Sequence, residues 1–283
     1  MASNILIADS GSTKTDWALI GNTNNIEHIS TIGINPLYQD ASEISIMLST
    51  SGIEWSNIER IHFYGAGCIG GKANETICTA LHNVAPQATT TIQSDLMAAC
   101  HALLGNKAGI ACILGTGANS CCFDGEQIVA NTPPLGFILG DEGSGAYIGK
   151  RLLSDAFKGL LPTDISQKLM QNIGLEYAEI IDKVYRQPYP NRFLASLTHF
   201  AADNIEREEI HNIMLESFVN FIDRNLMRYN AEMLAQPINF VGSIAFHFEY
   251  ILAEAIEMCG LQIGNVEQTP IDGLISKYIE KNK

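Results

Sequence analysis

The chain has 283 residues, 46% hydrophobic and 17% charged, enough for one large folded domain or two of ordinary size, which excludes a disordered chain. A formal net charge of −14 and a pI near 4.8 exclude the basic surface that nucleic acid or anionic lipid requires, so neither nucleic acid nor membrane is an expected partner. The seven cysteines form no Cys-x-x-Cys pair, no apolar run reaches the roughly 18 residues of a membrane span, and Asp9 stands too early for a signal-peptide core. A cytoplasmic protein with reduced, buried thiols is expected.

In chain order, residues 5–8 read as a strand, Gly11 as a turn and 17–20 as the return strand of a hairpin. The segment between them, "DSGSTKT", is richer than a hairpin needs. Its hydroxyls and backbone N–H groups beside the Asp9 carboxylate suit a phosphate tail and its magnesium ion. A third strand over 26–32, a helix over 41–51 and a strand over 60–64 follow, the last entering "GAGCIGG". A helix over 73–83 leads to a strand over 89–93 and a helix over 95–104 with Ser94 as its N-cap.

The pattern then restarts. "GIACILGTGANSCCFDGEQIV" is strand, glycine turn, return strand, turn and strand, mirroring the opening "NILIADSGSTKTDWALIGNTN". A duplicated architecture is expected, with its boundary at Gly105-Asn106-Lys107. One domain would cover 1–105, completed by the C-terminal helix at 270–283, and the second 106–269. Helices are expected over 144–156, 164–172, 176–185, 191–204 and 208–234. The last carries the apolar stripe Ile213, Phe218, Phe221, Ile222 and Leu226. A strand over 238–241 ends in Gly242-Ser243, a helix begins near Ile244, and a last helix covers 271–279.

Ligands of open α/β sheets bind at the C-terminal ends of strands, where four loops stand out. They are 9–15, "LGTGANS" at 114–120, "LGDEGSG" at 139–145 and "FVGSIAF" at 240–246. Singly, each is as readily an ordinary turn as a site. The set in this order carries the functional reading.

That order resembles the sugar kinase/Hsp70/actin superfamily. Within it, the chain resembles the N-acetylglucosamine kinases and the related activator ATPases of benzoyl-CoA reductase and 2-hydroxyglutaryl-CoA dehydratase (the BadF/BadG/BcrA/BcrD ATPase family). The resemblance covers nearly the whole chain, and "DSGSTKTDWAL" and "LGDEGSGAYIG" are its most specific parts. It implies an α/β fold of two ribonuclease-H-like (actin-like ATPase) domains flanking an interdomain cleft that holds ATP. It implies an ATP-dependent amino-sugar kinase acting on the 6-hydroxyl of N-acetylglucosamine, or on glucosamine or N-acetylmuramic acid. Gly11, Ser12, Thr13 and Lys14 would wrap the ATP phosphates from one side and Gly115, Thr116 and Gly117 from the other, with glycine where the backbone must come close. Asp9 would hold Mg²⁺, and Gly242 and Ser243 would pack under the adenosine. Asp95 would be the general base for the sugar hydroxyl. Asn35 in "GINPLY", Thr116, Gly117, Asp141 and Ser144 would bind the sugar, with Gly136 and Phe137 lining the approach. The expected partners are a small-molecule sugar and ATP, and the resemblance admits a homodimer.

Plainer roles stay open at several of these residues. Lys14 could be a solvated side chain at a hairpin tip, Asp95 a first-turn residue favoured by the helix dipole, Asn35 a turn residue before Pro36, and Asp141 an N-cap. The stretch Pro133-Pro134-Leu135-Gly136 replaces the "GGWG" that amino-sugar kinases often carry, which leaves the acceptor open more than the reaction. An activator ATPase would pair cysteines on an iron–sulfur cluster, but Cys121 and Cys122 are strand neighbours and point to opposite faces, which leaves Cys68 as the loop cysteine to watch. The presence of Asp9, Asp95 and both phosphate turns speaks against a non-catalytic nucleotide- or sugar-binding regulator.

Overall fold

The computed structural model describes residues 4–11, 13–21 and 25–280. The chain divides into two compact units, Met1–Asn106 with Thr269–Lys283, and Lys107–Gln268. The first unit opens with β1 (Ile5–Ser10), β2 (Lys14–Ile20), β3 (Ile26–Ile32) and α1 (Ala41–Ser49). It continues with β4 (Arg60–Gly65), α2 (Gly71–Val84), β5 (Thr89–Ser94) and α3 (Asp95–Leu103). The second unit opens with β6 (Gly109–Leu114), β7 (Ala118–Phe123), β8 (Ile128–Asn131), α4 (Gly136–Leu139), α5 (Gly145–Phe157) and α6 (Thr163–Ile173). It goes on through α7 (Tyr177–Tyr185), α8 (Pro190–Ser196), α9 (Thr198–Asp203), α10 (Glu208–Arg224) and α11 (Ala231–Leu234). It closes with β9 (Ile238–Val241), α12 (Ser243–His247), α13 (Glu249–Met258) and β10 (Ile263–Glu267), after which α14 (Ile271–Glu280) returns to the first unit.

The first unit is one five-stranded sheet in the order β3-β2-β1-β4-β5, antiparallel across the β1–β2–β3 meander and parallel from β1 to β4 to β5. Helices cover both faces, which is why the first strand reads as an unbroken apolar run instead of alternating. Leu6, Ala8, Trp17 and Phe63 pack against α1 and α2, while Ile5, Ile7, Ala18 and Ile20 pack against Ala98 of α3 and against Leu274, Ile275 and Tyr278 of α14. Gly273 lets α14 meet the Ala102 backbone, because a Cβ there would strike its carbonyl oxygen.

The second unit repeats this plan, with the sheet order β10-β9-β6-β7-β8. β6, β7 and β8 form the antiparallel meander, and β6, β9 and β10 run parallel. Its core joins Ile110, Cys112 and Leu114 of β6 to Ile148 and Leu152 of α5, Phe218 and Phe221 of α10, and Leu252 of α13. Adjacent Cys121 and Cys122 are both buried on β7.

Four sequence expectations change. β2 starts at Lys14 and not at Trp17, so Lys14, Thr15 and Asp16 belong to the strand. The hairpin closes early because Gly11 N–H donates to Lys14 O at 3.0 Å and the Ser10 and Thr15 hydroxyls pair at 2.7 Å. The helix expected over 191–204 is two, α8 and α9, broken at Leu197 where Ser196 and Thr198 hydroxyls bond back to Phe193 and Ala195 carbonyls at 2.7 Å. The long helix expected over 208–234 ends at Arg224. Asn225 Nδ2 donates to Phe221 O at 3.2 Å, and Asn230 caps a separate short helix by accepting from Met233 N–H at 2.9 Å. The strand β10 was not foreseen. It contains Gly264 and Asn265, and its pairing with β9 shifts register between Ile263 and Val266, so no alternation marks it.

Candidate active site

In the first unit, three strand ends line up. Ser10 of β1 lies beside Gly65 of β4, and Gly65 beside Ser94 of β5. Asp9 therefore stands near the end of the central strand, and Asp95 opens α3 at the end of β5. Ser94 caps that helix by accepting from Met97 N–H at 3.2 Å, and Asp95 Oδ1 accepts from Leu96 N–H at 2.8 Å. Asp16 faces Asp9 directly across the β1–β2 pair. Lys14 Nζ lies 2.7 Å from Asp16 Oδ2, and Ser30 Oγ donates to Asp16 Oδ1 at 3.3 Å. Lys14 is thus a strand cation paired to Asp16, with its side chain partly in solvent.

Burial, then the negative charges of Asp95 and Asp16, push the Asp9 carboxyl up to about 7, against the pull of Lys14. Burial also raises Asp95 above the usual carboxylate range, opposed by the N–H groups of Leu96 and of Asp95 itself. Among the described residues, no three His, Cys, Asp or Glu side chains converge as a metal cage. Ser12 lies outside the described residues.

The loop carrying Asn35 is stitched to this hairpin. Gly33 N–H donates to Thr13 O at 3.1 Å, and Ser10 Oγ donates to Ile34 O at 2.9 Å while accepting from Ile34 N–H at 3.0 Å. Asn35 Oδ1 accepts from Leu37 N–H at 3.0 Å, the Asx-turn of the plainer reading. Its amide nitrogen is the group left to offer a ligand.

In the second unit, three sequence-distant loops meet. Gly145 and Ala146, at the start of α5, donate N–H bonds to the carbonyls of Gly115 (2.8 Å) and Thr116 (3.1 Å). Gly115 N–H closes back on Gly117 O at 2.9 Å, while the N–H groups of Thr116 and Gly117 donate to no carbonyl among the described residues. Two adjacent N–H donors in a glycine turn are a grouping that can receive an anion. Gly242 has φ +124° and its Cα passes so close to Leu114 O that no Cβ would fit, which brings Gly242 and exposed Ser243 beside the same turn.

Asp141 is held in the left-handed region at φ +54°. Its Oδ1 accepts from Ala118 N–H at 3.3 Å, and its Oδ2 packs close over Gly117, 3.2 Å from where a Cβ would stand. Burial pushes this carboxyl up to about 6, opposed by Ala118 N–H, raised further by Glu142 and lowered by Lys150. Asp141 is not the cap of α5. That residue is Ser144, wholly buried, whose Oγ accepts from Tyr147 N–H at 3.2 Å and keeps its own O–H as a donor. Phe137 O accepts from Lys150 Nζ at 3.1 Å, which ties α4 to α5.

Sequence reasoning missed Asp16 and a second ion pair, in which Glu142 Oε1 lies 2.6 Å from Arg224 Nε. Asp16 shares a strand face with Lys14 two residues earlier, a legible signal. Nothing in the spacing links Glu142 to Arg224.

Two units of one sheet pattern, each with a glycine turn at the end of its central strand, define the actin-like ATPase fold built from two ribonuclease-H-like units. MreB 5 of Spiroplasma citri, solved bound to AMPPNP, shares that fold at 12% identity and TM-score 0.60, over 100% of this chain and 97% of its own. A Chromobacterium violaceum protein provisionally named an N-acetylglucosamine kinase shares it at 15% identity and TM-score 0.71, over 97% and 98%. No family model matches the chain, and no curated protein matches it. A Porphyromonas gingivalis protein, also provisionally named an N-acetylglucosamine kinase, is 41% identical with TM-score 0.93, over 99% of this chain and 100% of its own. The chain belongs to the N-acetylglucosamine kinase-like family, the one its motifs resemble.

Proposed function

We propose that the protein is an ATP-dependent amino-sugar kinase that transfers the γ-phosphoryl group of ATP to the 6-hydroxyl of N-acetylglucosamine. The observation that carries this reading is Asp95, a half-buried carboxylate at a helix start with its pKa raised and its orientation fixed by Leu96 N–H. The likeness to the P. gingivalis protein along the whole chain supports it.

Phosphoryl transfer asks a protein mainly for positioning and charge neutralisation. Asp95 accepts the proton that the sugar hydroxyl loses as its oxygen bonds to phosphorus. A base with a raised pKa takes that proton more readily near neutral pH. The N–H groups of Thr116 and Gly117 and the hairpin Gly11–Thr13 hold the phosphate tail, Gly242 and Ser243 take the adenosine side, and Lys14 offers a cation. Asp141 accepts from a sugar hydroxyl, and Asn35 Nδ2 donates to another. Asp9 fits a magnesium ion. It is a half-buried carboxylate whose acidic neighbours leave it short of positive charge, and Mg²⁺ takes one or two protein carboxylates and fills its shell with phosphates and waters. When bound, that ion would neutralise phosphate charge.

The activator-ATPase reading gains nothing from the cysteines. Cys68 is buried, and burial followed by the Asp95 charge pushes its thiol up to about 12, so it is held as a thiol where a cluster needs thiolate. The test is ADP release over a panel of N-acetylglucosamine, glucosamine and N-acetylmuramic acid, with Asp95→Asn beside the parent. Sugar-dependent ADP release that falls ~10²–10⁴-fold in the variant, with ATP and sugar still bound, is expected. ADP release that no sugar stimulates, or near-parental turnover in Asp95→Asn, would sink the reading.

A further inference from the structure

Glu142 sits in the loop that presents Asp141, yet its own side chain is only 10% exposed. Its Oε1 lies 2.6 Å from Nε of Arg224, the last residue of α10, whose side chain is 62% exposed. The next residue, Gly143, has φ +76° and rides on the same helix, since a Cβ there would stand 2.9 Å from Phe221 Cβ. The loop is therefore seated on α10 at two consecutive residues. Directly before them, Asp141 holds a left-handed backbone at φ +54°, a conformation that persists in a non-glycine residue only when its surroundings over-determine it. Asp141 N–H donates to Pro134 O at 3.0 Å and its carbonyl accepts from Ser144 N–H at 3.0 Å, which fixes the two ends of the turn. The Glu142 side chain is the anchor between them.

We propose that the Glu142–Arg224 pair is a positioning latch for the acceptor sugar: it holds the left-handed backbone of Asp141 and so keeps that carboxylate aimed beside Gly117. The inference rests on the reading of Asp141 as a sugar-hydroxyl acceptor. Arg224 reaches Glu142 from the solvent side and touches no reacting atom. Removing its charge leaves a carboxylate in a buried place without its cation, a state that drives the group toward water. The Glu142 carboxylate is then drawn toward the solvent that Arg224 covered, and Asp141, its chain neighbour, shifts with it. A misplacement of about 1 Å at a substrate-orienting group costs up to ~10²-fold.

The test compares Arg224→Met, which keeps the aliphatic stem and loses the charge, with Arg224→Lys, which keeps the charge. Sugar and ATP are varied separately in steady-state kinetics, with melting curves alongside. Arg224→Met is expected to raise the sugar KM about tenfold, leave the ATP KM within about twofold, and be largely rescued in Arg224→Lys. Glu142→Gln should show the same defect, and the double variant should be no worse than the worse single one, as for two residues acting as a unit. Glu142→Gln also keeps the comparison intact should Arg224→Met not fold. An unchanged sugar KM, or sugar and ATP KM rising together, would make the pair a structural brace and overturn the latch. Asp141→Asn separates the layers. If it raises the sugar KM and Arg224→Met does not, the latch alone fails. If it leaves the sugar KM unchanged, the acceptor reading fails and takes the latch with it.

Discussion

Three aspartates at strand and helix ends have three different environments. Asp9 is crowded by carboxylates, Asp95 is oriented by a helix N–H, and Asp141 is strained and paired to Ala118 N–H. For Asp141 the folded chain holds the proton more tightly than the unfolded chain, with the carboxyl at about 6 against the ordinary 3.8. Its contribution to stability is thus fully present below about pH 4 and is lost as pH rises through about 6. Asp141→Asn should flatten that part of the stability–pH curve, measured by urea unfolding at a series of pH values. In the parent, sugar KM should fall across the same window, because the ionised form is the better hydroxyl acceptor. Asp9→Ala should leave the melting temperature unchanged or higher, since it removes a carboxylate that burial disfavours, yet sharply weaken Mg²⁺-dependent turnover. Unfolding of that variant, or full activity at low Mg²⁺, would make the hairpin purely structural. The positions of Asp9, Asp95 and the 115–117 turn were legible because each lies at the end of an apolar strand run or opens a helix, whereas the 139–145 loop with Asp141, expected at a strand end, follows the short helix α4. The pairing of Glu142 with Arg224 was not legible, because no periodicity says which exposed arginine will turn toward a loop.

At the scale of elements, α5 does two jobs. Its first N–H groups hold the carbonyls of the 115–117 turn, and its Gly149 lies against Leu194 O of α8, where no Cβ fits. Gly145, one turn earlier, meets Ala195 at 3.1 Å from where its Cβ would be. Gly149→Ala must push α5 and α8 apart, so a loss of about 1–3 kcal/mol is expected, read as a lower urea midpoint. The displacement should reach the turn as well, so ATP KM should rise with it. A variant as stable as the parent would show that the helices have room to slide. Strand and helix existence followed from apolar runs and caps such as Ser94 and Ser144. What escaped was decided by polar side chains that take backbone bonds for themselves, as Asn225 and Asn230 do where the long helix stops, and as Asn239 does when its Oδ1 accepts from Asn265 N–H at 3.0 Å in the bulged β10.

Across the whole molecule, the repeat seen in two strand–turn–strand stretches extends to complete sheets, since β6 to β10 retrace the order of β1 to β5. The first unit is finished by α14, whose Ile271, Leu274, Ile275 and Tyr278 cover Ile5, Ile7, Ala18 and Ile20, and whose Tyr278 hydroxyl meets that of Tyr64 at 2.8 Å. A chain ending at Gln268 would expose that apolar face. Both tryptophans, Trp17 and Trp55, are buried in the first unit, so their emission reports on it alone. The shortened chain is expected to show red-shifted tryptophan emission while the helical circular dichroism of the second unit survives. Parental emission would mean that the first unit closes without α14.

The return of α14 also sets a timetable. On the ribosome, the first unit emerges first but lacks one wall until all of Lys107–Gln268 has been made. At roughly 5–20 residues per second, that wait lasts on the order of ten to thirty seconds. The second unit is one continuous segment and can close its core as soon as β10 is out. The later-born half is thus the one able to fold first, while the earlier-born half needs shelter for its apolar face in the interval.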